Sequence, residues 1–284
     1  MAVALNTSTI NSKLENGTIK SFGDEWSRFD QLQLSNAEVS KIFNEYFSIS
    51  PWMALPANAA GFDMGYNSEV WAKLIAPRVG HLNCIDPSSA LNVAKQNLAP
   101  ATNVSFYEAL AADTPLRKSS QDFDYSLGVL QLVQDKVSAI LNSFLVLKPV
   151  APLLIFLYYA LKNRSTAFRL LWRLSDLLRR VICKLPSTLK LLVTDGNFVL
   201  VYFPMARGGL LTEHAEPSVS SWPLSHHRHH SFYTIRPHLR NLFGTPIEQR
   251  FTRQETSDML HAAGLRDVCF SEKMPFWCAV GNKQ

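Results

Sequence analysis

"AAGFDMGYNSEVWAKLIAPRVGHLNCID", residues 59–86, decides the fold. A short apolar run ends at Gly65, a helical stretch "EVWAKLIAPR" follows, and a second apolar run, "HLNCID", closes on Asp86. Two strand-like runs joined through a helix form a crossover unit, which makes the two strands parallel. Working outward, the alternation continues with a helix in "SSALNVAKQNL", strands in "NVSFY" and "DFDYSLG", a helix in "DKVSAILNSFLVL" and a strand in "PLLIFLYYAL". The pattern predicts an α/β chain with a doubly wound, mostly parallel sheet and helices on both faces.

After residue 161 the alternation stops. A helical, basic and then irregular stretch runs to residue 249, and α/β patterning resumes with "TRQE" at Thr252–Glu255. That tetrapeptide is a capping box, in which the Thr hydroxyl and the Glu carboxylate satisfy each other's free amides at the start of a helix. Gly264 stops this helix, and "DVCFSEK" and "PFWCAVG" form an antiparallel hairpin at the sheet edge. The expected organisation is an N-terminal segment, 1–57, docking on the core; an α/β domain from 58–161 and 250–284; and a helical cap insertion, 162–249.

Composition places the chain among globular proteins: 47% of its 284 residues are hydrophobic and 18% charged. The start, "MAVALNTSTINSKLENG", lacks a basic stretch followed by a long apolar one, so no secretory signal is read. Four scattered cysteines, Cys84, Cys183, Cys269 and Cys278, have no zinc-like spacing and are expected as buried free thiols in a reducing, cytoplasmic setting. The longest apolar run, "PVAPLLIFLYYAL" at 149–161, is shorter than the ~20 residues that cross a bilayer and is expected as a buried strand.

In a doubly wound sheet, ligands bind at the carboxyl ends of the strands where strand order reverses. Asp63 and Gly65 lie at the first such end, and Asp86 ends the second strand about twenty residues later, the separation at which a carboxylate accepts from paired ribose hydroxyls. A solvated Asp86 capping the following helix is the alternative. Asp113, after strand three, is a candidate to hold an adenine amino group, and Leu127 with Gly128, after strand four, to wall the site.

Read in order, "FDMG" (62–65), "CIDPSSA" (84–90), "DTPL" (113–116), "SLGVL" (126–130) and "LKP" (147–149) resemble the successive motifs of the class I S-adenosylmethionine-dependent methyltransferases, in a bacterial subgroup of the methyltransferase type 11 kind. "FGDEWSRFD" at 22–30 is similar to an aromatic and acidic segment that precedes the domain in that subgroup. The resemblance implies a Rossmann-like fold, S-adenosylmethionine as cofactor, and cofactor contacts from Asp63, Gly65, Tyr66, Asn67, Asp86, Asp113 and Leu127. It carries over no universal catalytic residue, since methyl transfer is an in-line displacement governed chiefly by placement of the nucleophile.

The chain also departs from the subgroup. Its loop normally reads Asp-Met-Gly-Cys-Gly-Ser-Gly-Arg-Trp; here Asn67 and Glu69 replace the second and third glycines, and Val70 the arginine. Glu69 puts a carboxylate where the positive end of a helix would meet the carboxylate of the cofactor's methionine tail. Without a ligand, the same residue is a favourable first-turn acid. Gln131-Leu132 stands where a histidine is common, and Val150 where a glycine follows Lys-Pro. Two functions stay open: a methyltransferase acting on a small, apolar acceptor, and a non-catalytic methyltransferase-like module with a decayed cofactor loop.

Within the insertion, "STAFRLLWRLSDLLRRVICKL" has Arg169, Arg173, Arg180 and Lys184 along one helical face and Ala167, Leu171, Leu174, Leu178, Val181 and Leu185 opposite. A lid whose apolar face meets the core is the favoured reading; peripheral membrane contact through 165–185 is the other. "LVYFPMA" at 200–206 is expected to pack beneath that helix or to line an acceptor pocket. "SHHRHHSFYT" brings together His226, His227, His229 and His230 with no acidic or thiol partner, and is read as exposed polar loop with no metal. Basic residues confined to one helix, without an accompanying motif, argue against nucleic acid as a partner.

Overall fold

The computed structural model describes residues 17–19, 36–65, 69–163, 165–213, 235–236, 242–243, 247–273, 275 and 277–284. By contacts the chain divides into two units: Met1–Arg28, Val39–Ala160 and Ile247–Gln284 form one; Phe29–Glu38 and Leu161–Pro246 form the other.

The first unit is built on seven strands: β1 Ala60–Met64, β2 His81–Ile85, β3 Val104–Tyr107, β4 Phe123–Leu127, β5 Pro152–Phe156, β6 Leu265–Phe270 and β7 Cys278–Lys283. Their order is β3-β2-β1-β4-β5-β7-β6. Strands β1 to β5 pair in parallel, and β7 lies antiparallel between β5 and β6. This is the doubly wound, Rossmann-like sheet read from the sequence, with its antiparallel edge hairpin. Strand order reverses between β1 and β4, so the loops after β1, β2 and β4 converge there.

Strands β1, β2, β4 and β5 bury both faces, and their side chains divide by the period of two. Phe62 and Met64 of β1 join Leu153, Ile155 and Leu157 on one side. Leu82, Cys84, Phe123, Tyr125, Leu154 and Phe156 gather on the other. The apolar run at 149–161 is accounted for by β5, every residue of which is buried. Helix α1, Asn36–Tyr46, leads into an aromatic group on the second face. Phe43 and Phe47 stack with centroids 4.4 Å apart, and Phe47 meets Tyr125 edge-on at 5.4 Å.

Between the strands of this unit lie α2 Glu69–Ile75, α3 Ala90–Asn97 and α4 Lys136–Val146. The insertion begins at residue 161, after which come α5 Thr166–Ile182, α6 Ser187–Asn197 and α7 Phe203–Glu213. The chain returns to the sheet unit at Ile247, slightly before the expected residue 250, because Gln249 donates to the Gln131 carbonyl and Phe251 to that of Tyr158. The capping box then opens α8, Arg253–Ala262, with the Thr252 amide 2.7 Å from the Glu255 carboxylate and the Glu255 amide 3.2 Å from the Thr252 hydroxyl. Gly264 leaves the helix at φ +99.

The insertion differs from expectation. A π-helical turn, Phe198–Tyr202, joins α6 to α7, so residues 188–208 form one helix long and apolar enough to cross a membrane, by length and composition. Pro204 has no amide for the Leu200 carbonyl, and the widened turn ahead of it absorbs the missing bond. The unit has its own small core of Ile182, Phe198, Ala206, Ile235 and Phe243. From α5 that core takes Ile182, and Ser175 hydrogen-bonds Tyr202 at 2.7 Å, so the 200–206 segment does pack against the helix. On α5, Leu170, Leu171, Leu174, Leu177, Leu178 and Val181 are all exposed. Cys84 and Cys278 are buried free thiols, whereas Cys183 is half-buried and Cys269 exposed, the latter because β6 is an edge strand.

Candidate functional site

At the carboxyl ends of β1 and β2 lies a cavity of about 160 Å3. Gly65 enters it from the end of β1, Ile85, Asp86, Pro87 and Ser88 from the end of β2, Leu110 to Ala112 from the loop after β3, and Val129, Leu132, Val133 and Asp135 from the segment after β4. Thr18 and Ile19 complete the lining.

Gly65 is required where it stands. Its φ is +75, a region that costs an ordinary residue roughly 1–2 kcal/mol. A methyl group on its Cα would also run into the Val129 side chain. The Gly65 amide bonds the Ile85 carbonyl at 2.9 Å, which holds the ends of β1 and β2 together and brings bare main chain to the cavity wall.

Asp86 is buried and is no solvated helix cap. Its Oδ1 accepts from the Ser88 amide at 2.7 Å, closing a turn two residues on, while the cap residue of α3 is Ser89, without a side-chain cap bond. Burial raises the Asp86 carboxyl to about 6, against the lowering effect of the Ser88 hydrogen bonds. Near neutral pH it is therefore mostly ionised, an acceptor on a mainly apolar wall.

Asp63 sits behind this surface. It is buried within the sheet, accepts from the Tyr125 hydroxyl at 2.7 Å, and is raised to about 8 by burial, with the charge of Asp86 adding to the shift. Asp124, also buried, is pushed well above the usual carboxylate range by desolvation. In both, burial favours the neutral form.

Of the residues singled out from sequence, the structure brings Gly65 and Asp86 together at the cavity. Asp63 adjoins them from the sheet interior. Asp113 is exposed in a turn, and its neighbours Leu110, Ala111 and Ala112 line the cavity in its place; Leu127 is buried in β4 and is not a lining residue either. Tyr66 and Asn67 lie outside the described residues, as do the histidine run at 226–230 and the segment 22–30, and the side chain of Glu69 is likewise not described.

Sequence reasoning did not assign Thr18, Ile19, Pro87, Ser88, Val129 or Asp135 to the site. Asp135 carried a usable signal, because "DKVS" is a helix start: its carboxylate accepts from the Ser138 amide at 3.0 Å and caps α4 beside the cavity. Gln131, at a family position often held by histidine, is fully buried, and its side-chain amide finds no protein partner among the described residues.

Residues 62–155 match the model of a family described as a methyltransferase domain. Among solved structures, a SAM-dependent methyltransferase from Aquifex aeolicus is 13% identical, with 88% of this chain and 98% of that one covered and a TM-score of 0.47. The N-methyltransferase NodS from Bradyrhizobium japonicum, solved with S-adenosyl-L-homocysteine, is 19% identical over 49% of this chain and 72% of its own, with a TM-score of 0.41. No curated protein matches the sequence. The family match runs from within β1 to within β5, so the strands whose ends line the cavity fall inside the stretch that is similar to a methyltransferase domain.

Proposed function

We propose that the protein is an S-adenosylmethionine-dependent methyltransferase acting on a small, apolar acceptor. One observation carries the reading: the positive-φ Gly65 and the buried carboxylate of Asp86 meet at one cavity where the strand order reverses. Asp86 accepts from the ribose hydroxyls, Ile85, Leu110 and Leu132 give apolar surface for the adenine, and the bare Gly65 main chain allows the methionine tail to approach. When bound, the cofactor supplies an electrophilic methyl carbon. The residues that line the cavity orient it and exclude water; Asp63, protonated and held by Tyr125, keeps a second negative charge away from Asp86. The mainly apolar lining of the cavity, with Ala111, Ala112, Val129 and Val133, supports an apolar acceptor.

A second reading, a methyltransferase-like module without activity, is favoured by Asn67 and Glu69 in the loop after Gly65. Equilibrium dialysis of S-adenosylhomocysteine against the wild type and Asp86→Asn tests the first reading. Losing a charged acceptor for two hydroxyls is expected to weaken binding about tenfold or more. Equal binding by both proteins would remove Asp86 from the site, and absence of binding by the wild type would favour the inactive module.

A further inference from the structure

Helix α5 carries three distinct stripes. At about 100° per residue, Phe168, Trp172, Ser175, Asp176, Arg179 and Ile182 fall on one side, and these are the half-buried or buried positions. Leu170, Leu171, Leu174, Leu177, Leu178 and Val181 fall within an arc of about 120°. All six are exposed, Leu174 by 58%. Arg169, Arg173 and Arg180 line one border of that arc. The small core of the insertion is built from other residues, so the leucine stripe is not this unit's own interior.

The neighbouring helix has the same property. Only 17% of its apolar window within Thr188–Gly208 is buried, and Leu189, Leu192, Val199 and Leu200, the last 77% exposed, face outward. Gly196 faces open space as well. Among the described residues, two successive helices of one unit thus present exposed apolar surface, and one of them borders it with arginines.

We propose that residues 166–208 dock this protein on an anionic phospholipid bilayer, with both helices lying in the interface. Two observations select a lipid surface over a protein partner. The second helix meets the length and hydropathy of a bilayer-compatible segment, which a protein-binding helix does not need. The arginine border beside the α5 leucines matches the arrangement in which apolar side chains enter the acyl region and cations stay at the headgroups. The helices lie in the interface and do not span it, because Asp195 and its partner Arg236, 2.7 Å apart, hold a charge pair midway along the second helix.

Co-sedimentation of the full chain with vesicles of phosphatidylcholine, alone or mixed with phosphatidylglycerol, tests the proposal. Binding to the mixed vesicles is expected, with loss on adding salt. Leu174→Glu with Leu178→Glu is expected to lower the partition about tenfold or more, since both side chains leave water on docking. These positions are exposed, so an unchanged circular dichroism spectrum shows that the double variant still folds. Arg173→Glu is expected to reduce the preference for anionic vesicles and leave binding to neutral ones unaltered. Failure to sediment with either vesicle overturns the proposal. So does a wild-type dimer in light scattering that the leucine double variant dissociates without any vesicle binding, which would make the face a contact between copies.

Discussion

Val150 follows Lys148-Pro149 where the family pattern has glycine, and it stands at φ +60, 80% exposed. A β-branched side chain gains nothing there to offset the left-handed backbone. Val150→Gly is expected to stabilise the protein by about 1 kcal/mol, the relief of strain exceeding the added freedom of the unfolded chain; urea denaturation reads it. Asp63 gives a pH dependence of definite sign. Its folded carboxyl is raised from the ordinary range to about 8, so between those limits the folded state holds a proton that the unfolded chain has lost. Stability therefore falls as pH rises through that window, with Asp86 contributing the same sign up to about 6. Asp63→Asn keeps an acceptor for Tyr125 and is expected to flatten this slope in denaturation measured across the window. At this scale the sequence marked Gly65 and Asp86 because each stands at a strand end with chemistry to match. It did not mark Val129 or Ser88, whose importance comes from what they approach in space. In the loop itself, Asn67→Gly with Glu69→Gly is expected to strengthen S-adenosylmethionine binding; unchanged affinity would contradict the account of that loop.

Among the elements, those set by local chemistry were the most legible. The capping box of α8 was readable from four letters, and its hydrogen bonds are in place. Thr252→Ala is expected to cost about 1 kcal/mol, read as a lowered midpoint in thermal unfolding. Continuous apolar runs bounded by turn residues located β1 to β5 within a residue or two, apart from the far end of the β5 run, because strands buried on both faces leave little room for any other composition. Helix α5 shows where such reading stops. Periodicity revealed its leucine stripe but not the unit's own core, in which Phe198 and Ala206 join Ile182. The long helix through 188–208 was also missed, since Lys190, Asp195 and Pro204 interrupt its apolar residues and a π turn is needed to carry it past the proline.

For the molecule as a whole, the order of the strands locates the cavity. The crossover between β1 and β4 is a consequence of the alternating pattern, so the position of a ligand site was legible before any side chain was placed. An occupant for it was suggested only by the family resemblance, and the insertion shares no pattern with the sheet. The central claim is that the cavity beside Gly65 and Asp86 still takes the cofactor of this domain family. Calorimetric titration of the full chain with S-adenosylmethionine and with S-adenosylhomocysteine tests it most directly. The account predicts saturable binding of both in the micromolar range. No heat from either ligand at millimolar concentration would contradict it.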